Sequence, residues 1–158
     1  MLYCAPLAYR TDATAYYTAI ADLPWSVWLD SGGRGRYDIL TAQPVATLVT
    51  HNGETLISTK EGQRSSPENP FSLVREQLEP HLGAAAEIPF AGGALGYWGY
   101  DLARRIMTLP DIAHDADKLP EMAIGIYDWA LVVDHQQKSA QLVSHQRRPA
   151  TAHLLPQL

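Results

Sequence analysis

Four glycines set among large aromatics, in Phe90-Ala-Gly-Gly-Ala-Leu-Gly-Tyr-Trp-Gly-Tyr-Asp-Leu-Ala-Arg-Arg105, constrain this chain more than any other segment. Glycine is favoured where a backbone turns through positive φ or approaches another segment closely, and Tyr97, Trp98 and Tyr100 add large apolar bodies with polar tips. The run predicts a tightly packed strand end, followed by a brief helix capped by Asp101, running to about Met107 and stopped at Leu109-Pro110. A phosphate-binding reading fits less well. The spacing is G-x-x-G-x-x-G, no Lys-Ser or Lys-Thr follows, and no parallel βαβ unit surrounds it. Arg104 and Arg105 lie near the helix end, where cations offset its dipole from a solvated face.

Periodicity organises the rest. Thr11 or Asp12 is the expected cap of a first helix carrying Ala13, Tyr16, Tyr17 and Ile20 on one face, and Leu23-Pro24 ends it. From Trp25 the period becomes two, with Trp25, Val27 and Leu29 on one face and Ser26, Trp28 and Asp30 on the other. A loop, Ser31 to Arg36, hands over to an extended Tyr37 to Leu40. Pro44 opens a strand from Val45 to Thr50, and Asn52-Gly53 turns it into Glu54 to Thr59. Lys60 to Glu68 reads as a connecting loop. Asn69-Pro70 starts a second helix with Phe71, Val74, Leu78 and Leu82 as its buried stripe and a kink at Pro80. After a polar loop from Asp111 to Lys118, Met122 to Val133 is the longest strand signal, and Asp134 to Lys138 turns it back into Ala140 to Ser144.

Strands outnumber helices, which predicts an α+β fold: an antiparallel sheet with helices packed on one side. A chain of 158 residues, 46% apolar, is the size of one domain. The expected division is one domain over 1–147 and a linker or truncated terminus over 148–158, where the pattern fades past Arg147. Twelve Lys and Arg against seventeen Asp and Glu, with no basic stripe, disfavour nucleic acid as a partner. No apolar run reaches the ~20 residues that cross a bilayer. A lone Cys4 rules out an intrachain disulfide, the N-terminus lacks a signal-peptide pattern, and a cytoplasmic setting is expected.

Six histidines (51, 81, 114, 135, 145, 153) show no metal-ligand spacing, and His114-Asp-Ala-Asp117 reads as a polar loop, so no metal is assigned. No G-x-S-x-G elbow is present, and Asp128, flanked by Tyr127 and Trp129, reads as a structural carboxyl at a strand bend. No complete catalytic set emerges. The Ser31 to Tyr37 loop is the better binding candidate. It offers a hydroxyl, three glycine amides, the guanidiniums of Arg34 and Arg36, and an aromatic ring, a set suited to a zwitterion. On the residues alone, an ordinary exposed loop remains the favoured account.

Leu23-Pro-Trp25, the strand ending at Ser31, Arg36-Tyr-Asp38, Pro70-Phe71, the block from Pro89 to Leu102, Leu109-Pro110, and the block from Met122 to His135 follow one family's order. In these the chain resembles the N-terminal region of the aminodeoxychorismate synthase component I family, the para-aminobenzoate branch of the anthranilate synthase component I group. Gly125-Ile-Tyr-Asp-Trp-Ala-Leu131, and Asp30 before Ser31, resemble that branch. The resemblance implies a subunit making 4-amino-4-deoxychorismate from chorismate and ammonia for folate biosynthesis, with a glutamine amidotransferase partner supplying ammonia. It also implies that the catalytic residues and Mg²⁺ belong to a following chorismate-binding domain, leaving no catalytic residue here and an isolated chain that is inactive. This lobe would contribute a tryptophan pocket, whose matching positions are Ser31, Arg34, Gly35, Arg36 and Tyr37. A regulatory lobe of an anthranilate synthase, and a free-standing tryptophan-binding or interaction module, stay open as alternatives.

Overall fold

The computed structural model describes residues 2–78, 87–110 and 117–145. They form two compact units, one of residues 2–44, 87–93 and 127–145, the other of 45–78, 94–110 and 117–126. The expectations at Pro80, Leu82, His81, His114 and His153, most of the loop from Asp111, and the 148–158 linker lie outside the described residues. No helix among the described residues is long and apolar enough to cross a membrane.

The first unit is a five-stranded antiparallel sheet in the order β1 (Tyr3–Leu7), β10 (Ser139–Ser144), β9 (Trp129–Asp134), β3 (Tyr37–Thr41), β2 (Val27–Leu29). Side chains alternate faces along a strand, and here both faces are covered. Leu40, Trp129, Leu131, Val133 and Leu142 pack with Ala13 and Ile20 beside helix α1 (Thr14–Ile20). On the other face Ala130, Val132 and Val143 meet Ala91, Ile88 and Phe90. Covering both faces is why β9 is a continuous apolar run rather than an alternating one. Ala13 occupies the cap position of α1, and Asp12 accepts the Thr14 N–H at 2.8 Å.

The second unit is also an antiparallel array, in the order β6 (Gly62–Ser66), β5 (Glu54–Thr59), β4 (Ala46–His51), β8 (Met122–Tyr127), β7 (Gly93–Trp98). Asn52 and Gly53, with φ of 49° and 86°, form the hairpin turn that their sequence predicts. Leu48, Ile57, Met122, Ile124 and Ile126 make its core with Leu73 and Val74 of α2 (Pro70–Leu78) and with Leu102. Asn69 Oδ1 accepts the Phe71 N–H at 2.9 Å, so this helix starts as read.

Several expectations are corrected. The strands divide between two sheets, and Met122 to Val133 is two strands: β8 ends at Tyr127, and β9 starts in the other sheet after Asp128. Asp128 is buried at that break, where its carbonyl accepts the Ser144 hydroxyl at 2.8 Å and the His145 N–H at 3.2 Å. Part of the polar 60–68 segment is strand β6, because β5 offers it a free ladder edge. Trp25 stands outside β2 with φ of 56°, and Trp28 rather than Leu29 packs toward the core. Leu73 takes the buried place expected of Phe71, which is 42% exposed. Residues Tyr100–Arg105 form a 3₁₀ helix behind Gly99, and Asp101 pairs with Arg104 instead of capping. The glycine-aromatic run is the packed strand β7. A Cβ on Gly96 would lie 2.0 Å from the Ala123 carbonyl oxygen.

Candidate functional site

The site lies in the first unit, where the Ser31 to Arg36 loop joins β2 to β3. Asp30 begins the turn by accepting the Gly32 N–H at 2.8 Å, and the Ser31 carbonyl accepts the N–H groups of Arg34 and Gly35 at 3.2 and 3.3 Å. Gly32 and Gly33, at φ of 61° and 69°, carry the chain through the left-handed region this needs. Asp38 anchors the loop from β3, its Oδ1 accepting the Ser31 N–H at 2.8 Å.

Behind the loop is a cavity of about 400 Å³, within the range of small-molecule sites. Its walls include Tyr9, Trp28, Asp30, Gly35, Asp38 and His135. Asp38 Oδ2 lies 3.1 Å from His135 Nε2, and His135 Nδ1 lies 3.3 Å from the Tyr9 hydroxyl, giving a Tyr9–His135–Asp38 chain across one wall. The His135 backbone N–H donates to the Arg36 carbonyl at 2.8 Å and fixes the ring's starting point. Burial pushes the Asp38 carboxyl up, but hydrogen bonds from the Ser31 N–H and hydroxyl, together with His135, outweigh it and hold the group below its ordinary value. One buried polar atom in this wall, Trp28 Nε1, has no hydrogen-bond partner. Such atoms are costly unless something meets them.

The loop residues expected from sequence separate into two groups. Gly35 lines the cavity, whereas Ser31 is not among the lining residues and is tied to it through its N–H to Asp38. Arg34, Arg36 and Tyr37 are not among the lining residues. Arg36 is committed elsewhere, with Nε 3.2 and 3.1 Å and Nη2 2.8 Å from the Asp134 carboxylate, and its guanidinium lies 4.7 Å from the Tyr37 ring centre. The Arg36 hydrogen bonds in turn hold the Asp134 carboxyl below the usual carboxylate range. A second hollow of about 430 Å³ beside Arg104 to Leu109 is occupied by internal bonds: Arg104 reaches Asp101 and two carbonyls, and Arg105 donates to Gly53.

The chain is 45% identical over 152 residues to aminodeoxychorismate synthase component 1 of Klebsiella aerogenes, covering 88% of this chain and 33% of that protein. To the same-named protein of Escherichia coli (strain K12) it is 41% identical over 147 residues, covering 88% of this chain and 32% of that one. It is related in sequence to aminodeoxychorismate synthase component 1. The chain spans about a third of the length of these relatives. The crystal structure of anthranilate synthase component I from Streptococcus pneumoniae TIGR4 superposes with a TM-score of 0.64 over 94% of this chain and 34% of that one, at 24% identity, which establishes the shared fold. No family model matches the chain.

Set against the aminodeoxychorismate synthase resemblance, sequence reasoning missed Tyr9, Trp28, Asp38 and His135 as cavity residues. A signal existed for two of them. Asp38 is the second residue of β3, and His135 follows the last residue of β9, the strand paired with β3 at Tyr37↔Asp134. Both sit in the blocks Arg36-Tyr-Asp38 and Met122 to His135 that carry the resemblance.

Proposed function

We propose that this chain is the amino-terminal lobe of an aminodeoxychorismate synthase component I, and that its cavity seats tryptophan. The observation that carries the reading is the cavity itself, whose walls include Gly32, Gly33 and Gly35 of the loop that the sequence singles out. Trp28 and Tyr9 offer ring surfaces, and Asp38 offers a carboxylate to an ammonium group. On this reading the chorismate site, its Mg²⁺ and the reacting groups belong to the remaining two thirds of the relatives' length. Among the described residues, no three His, Cys, Asp or Glu side chains come together in a metal-holding group. The ammonia used in the reaction comes from a glutamine amidotransferase partner, and the setting is cytoplasmic.

Isothermal titration of the chain with L-tryptophan, L-lysine and L-glutamate tests the pocket. Tryptophan is expected to bind and the other two to give no heat. Equal heats from all three would contradict an aromatic site. Incubation with chorismate, Mg²⁺ and ammonium tests the division of labour, and turnover by this chain alone would contradict it.

A further inference from the structure

The fixed charges on the cavity wall are of one sign. Asp12, Asp30 and Asp38 line it, and no lysine or arginine is among the lining residues. Each carboxylate commits one oxygen inside the protein: Asp12 Oδ1 accepts the Thr14 N–H, Asp30 Oδ1 the Gly32 N–H, and Asp38 Oδ1 the Ser31 N–H, all at 2.8 Å. Asp38 Oδ2 faces His135 Nε2 at 3.1 Å, so any charge on that ring is opposed where it stands. Hydrogen bonds from the Thr14 hydroxyl and N–H hold Asp12 below the ordinary carboxylate value, and Asp38 is lowered despite its burial. The wall is therefore anionic at neutral pH. Flanking guanidiniums are turned elsewhere, Arg36 to Asp134 and Arg10 to the Tyr16 ring at 5.8 Å. What the wall leaves for a ligand carboxylate is neutral: the Gly33 N–H and the hydroxyls of Tyr9 and Thr11. Trp28 contributes its ring, with Nε1 buried.

We propose that the cavity is a site for an arylalkylamine, recognising an aromatic ring and an ammonium group, and that a free carboxylate on the ligand weakens its binding. The inference rests on the reading of this cavity as the seat of an indole-bearing ligand, and it names the charge that ligand carries. An ammonium group entering the space is drawn to three carboxylates, and the rings of Tyr9 and Trp28 suit both an aromatic body and a cation beside it. In an amino acid the carboxylate hangs from the same carbon as the ammonium. It must therefore enter the field that holds the ammonium, with no cation on the wall to receive it. Like charges about 5 Å apart in a solvent-open space, summed over three carboxylates, weaken binding by about tenfold.

Titration calorimetry of the full chain at about pH 6.5, below the range where α-amino groups titrate, compares tryptamine, L-tryptophan amide, L-tryptophan and indole-3-propionate. The amide replaces only the carboxylate of tryptophan by a neutral group. Tryptamine and the amide are expected to bind about tenfold tighter than tryptophan, and indole-3-propionate to give no heat. The preference should shrink to about threefold between about 50 and 300 mM salt. Asp12→Asn combined with Asp30→Asn removes two charges, while each new amide oxygen can still accept the Thr14 or Gly32 N–H, and is expected to bring the preference to about threefold. Arg34→Gln should leave tryptophan affinity unchanged. Tryptophan binding as tightly as the two amines, or tighter, would overturn the amine preference and leave the tryptophan site standing. A preference that survives the double variant and high salt undiminished would overturn its assignment to these carboxylates, and a loss of tryptophan binding in Arg34→Gln would show a cation serving the ligand carboxylate and sink it too. If none of the four compounds binds, the reading of the cavity falls and the amine site with it. Should the double variant not fold, the ranking and its salt dependence in the unaltered chain decide.

Discussion

Gly96→Ala is the substitution for which the fold gives the sharpest expectation. The added Cβ would lie 2.0 Å from the Ala123 carbonyl oxygen, 2.9 Å from Ile124 Cα and 3.0 Å from the Ala123 carbonyl carbon. All three are backbone atoms of β8, and β8 is held on its other side by β4 through the pairs from Ala46↔Ile126 to Thr50↔Met122. The carbonyl cannot turn aside as a side chain would, so β7 must move off its partner. Overpacking in a core costs about 1–3 kcal/mol, and the backbone contact places this change at the top of that range, about 3 kcal/mol. At roughly 2–4 °C per kcal/mol for a chain of this size, the melting temperature falls by about 6–12 °C. Gly33→Ala is the control. Its Cβ meets nothing within 4 Å, and only the φ of 69° opposes it, for about 1 kcal/mol. Urea unfolding followed by tryptophan fluorescence gives both free energies, and hydrogen exchange on the 93–98 peptide shows whether β7 opens first. If Gly96→Ala costs no more than Gly33→Ala, the close approach of β7 to β8 is wrong.

Tyr127 is fully buried, donates to the Trp25 carbonyl at 2.9 Å, and burial pushes its phenol up to about 12. An unfolded tyrosine ionises near 10, so the folded form retains its proton longer and stability falls as pH rises from about 10 to 12, by up to about 3 kcal/mol; Tyr127→Phe is expected to remove that alkaline slope, measured by urea unfolding against pH. Asp38 and Asp134 are both held below the ordinary carboxylate value, so their contribution is present above that value and lost as pH falls through their folded values; Asp38→Asn should flatten part of the acid limb of the same profile. Arg105 donates to the carbonyls of Gly53, Pro67 and Glu68 at 2.6, 3.0 and 3.4 Å, and Arg105→Ala is expected to cost about 2 kcal/mol and to speed exchange in the 52–68 segment, an unchanged exchange rate there counting against the clamp.

What the sequence reveals of the fold follows what local chemistry encodes. The Asn52-Gly53 hairpin and the Asn69-Pro70 helix start are legible because a few adjacent residues determine them. The second half of the chain is harder. A run such as Met122 to Val133 reports burial but not which sheet does the burying, and only Asp128 marks where the chain changes sheets. Strand β6 hides for the opposite reason. Gly62-Gln-Arg-Ser-Ser66 has no β-branched or aromatic residue, and it is a strand because β5 offers a ladder to its backbone, with Gln63 bonded to Ser58 and Arg64 to Glu76 on its flanks. At the N-terminus, Pro6 argues against a strand interior, yet β1 occupies a sheet edge, where a missing N–H is tolerated.

The cavity sharpens the same lesson, because its charge is set by residues distant in sequence. Read along the loop, Arg36 is a ready partner for a ligand carboxylate. Folded, it faces Asp134, a carboxylate that the strand pairing sets opposite the neighbouring Tyr37, and three N–H contacts of 2.8 to 3.2 Å tie the two groups together. Recruiting Arg36 to a ligand would leave Asp134 with only the N–H groups of Gln136 and Gln137. The loop amides are likewise engaged, that of Gly32 by Asp30 and that of Gly35 by the Ser31 carbonyl. With its guanidinium withdrawn and Asp12, Asp30 and Asp38 among its walls, the cavity carries the charge of an ammonium receiver. On the proposed amino-acid reading, selectivity over a plain amine would come from groups that displace one of these internal hydrogen bonds, at the cost of leaving its former partner unmet.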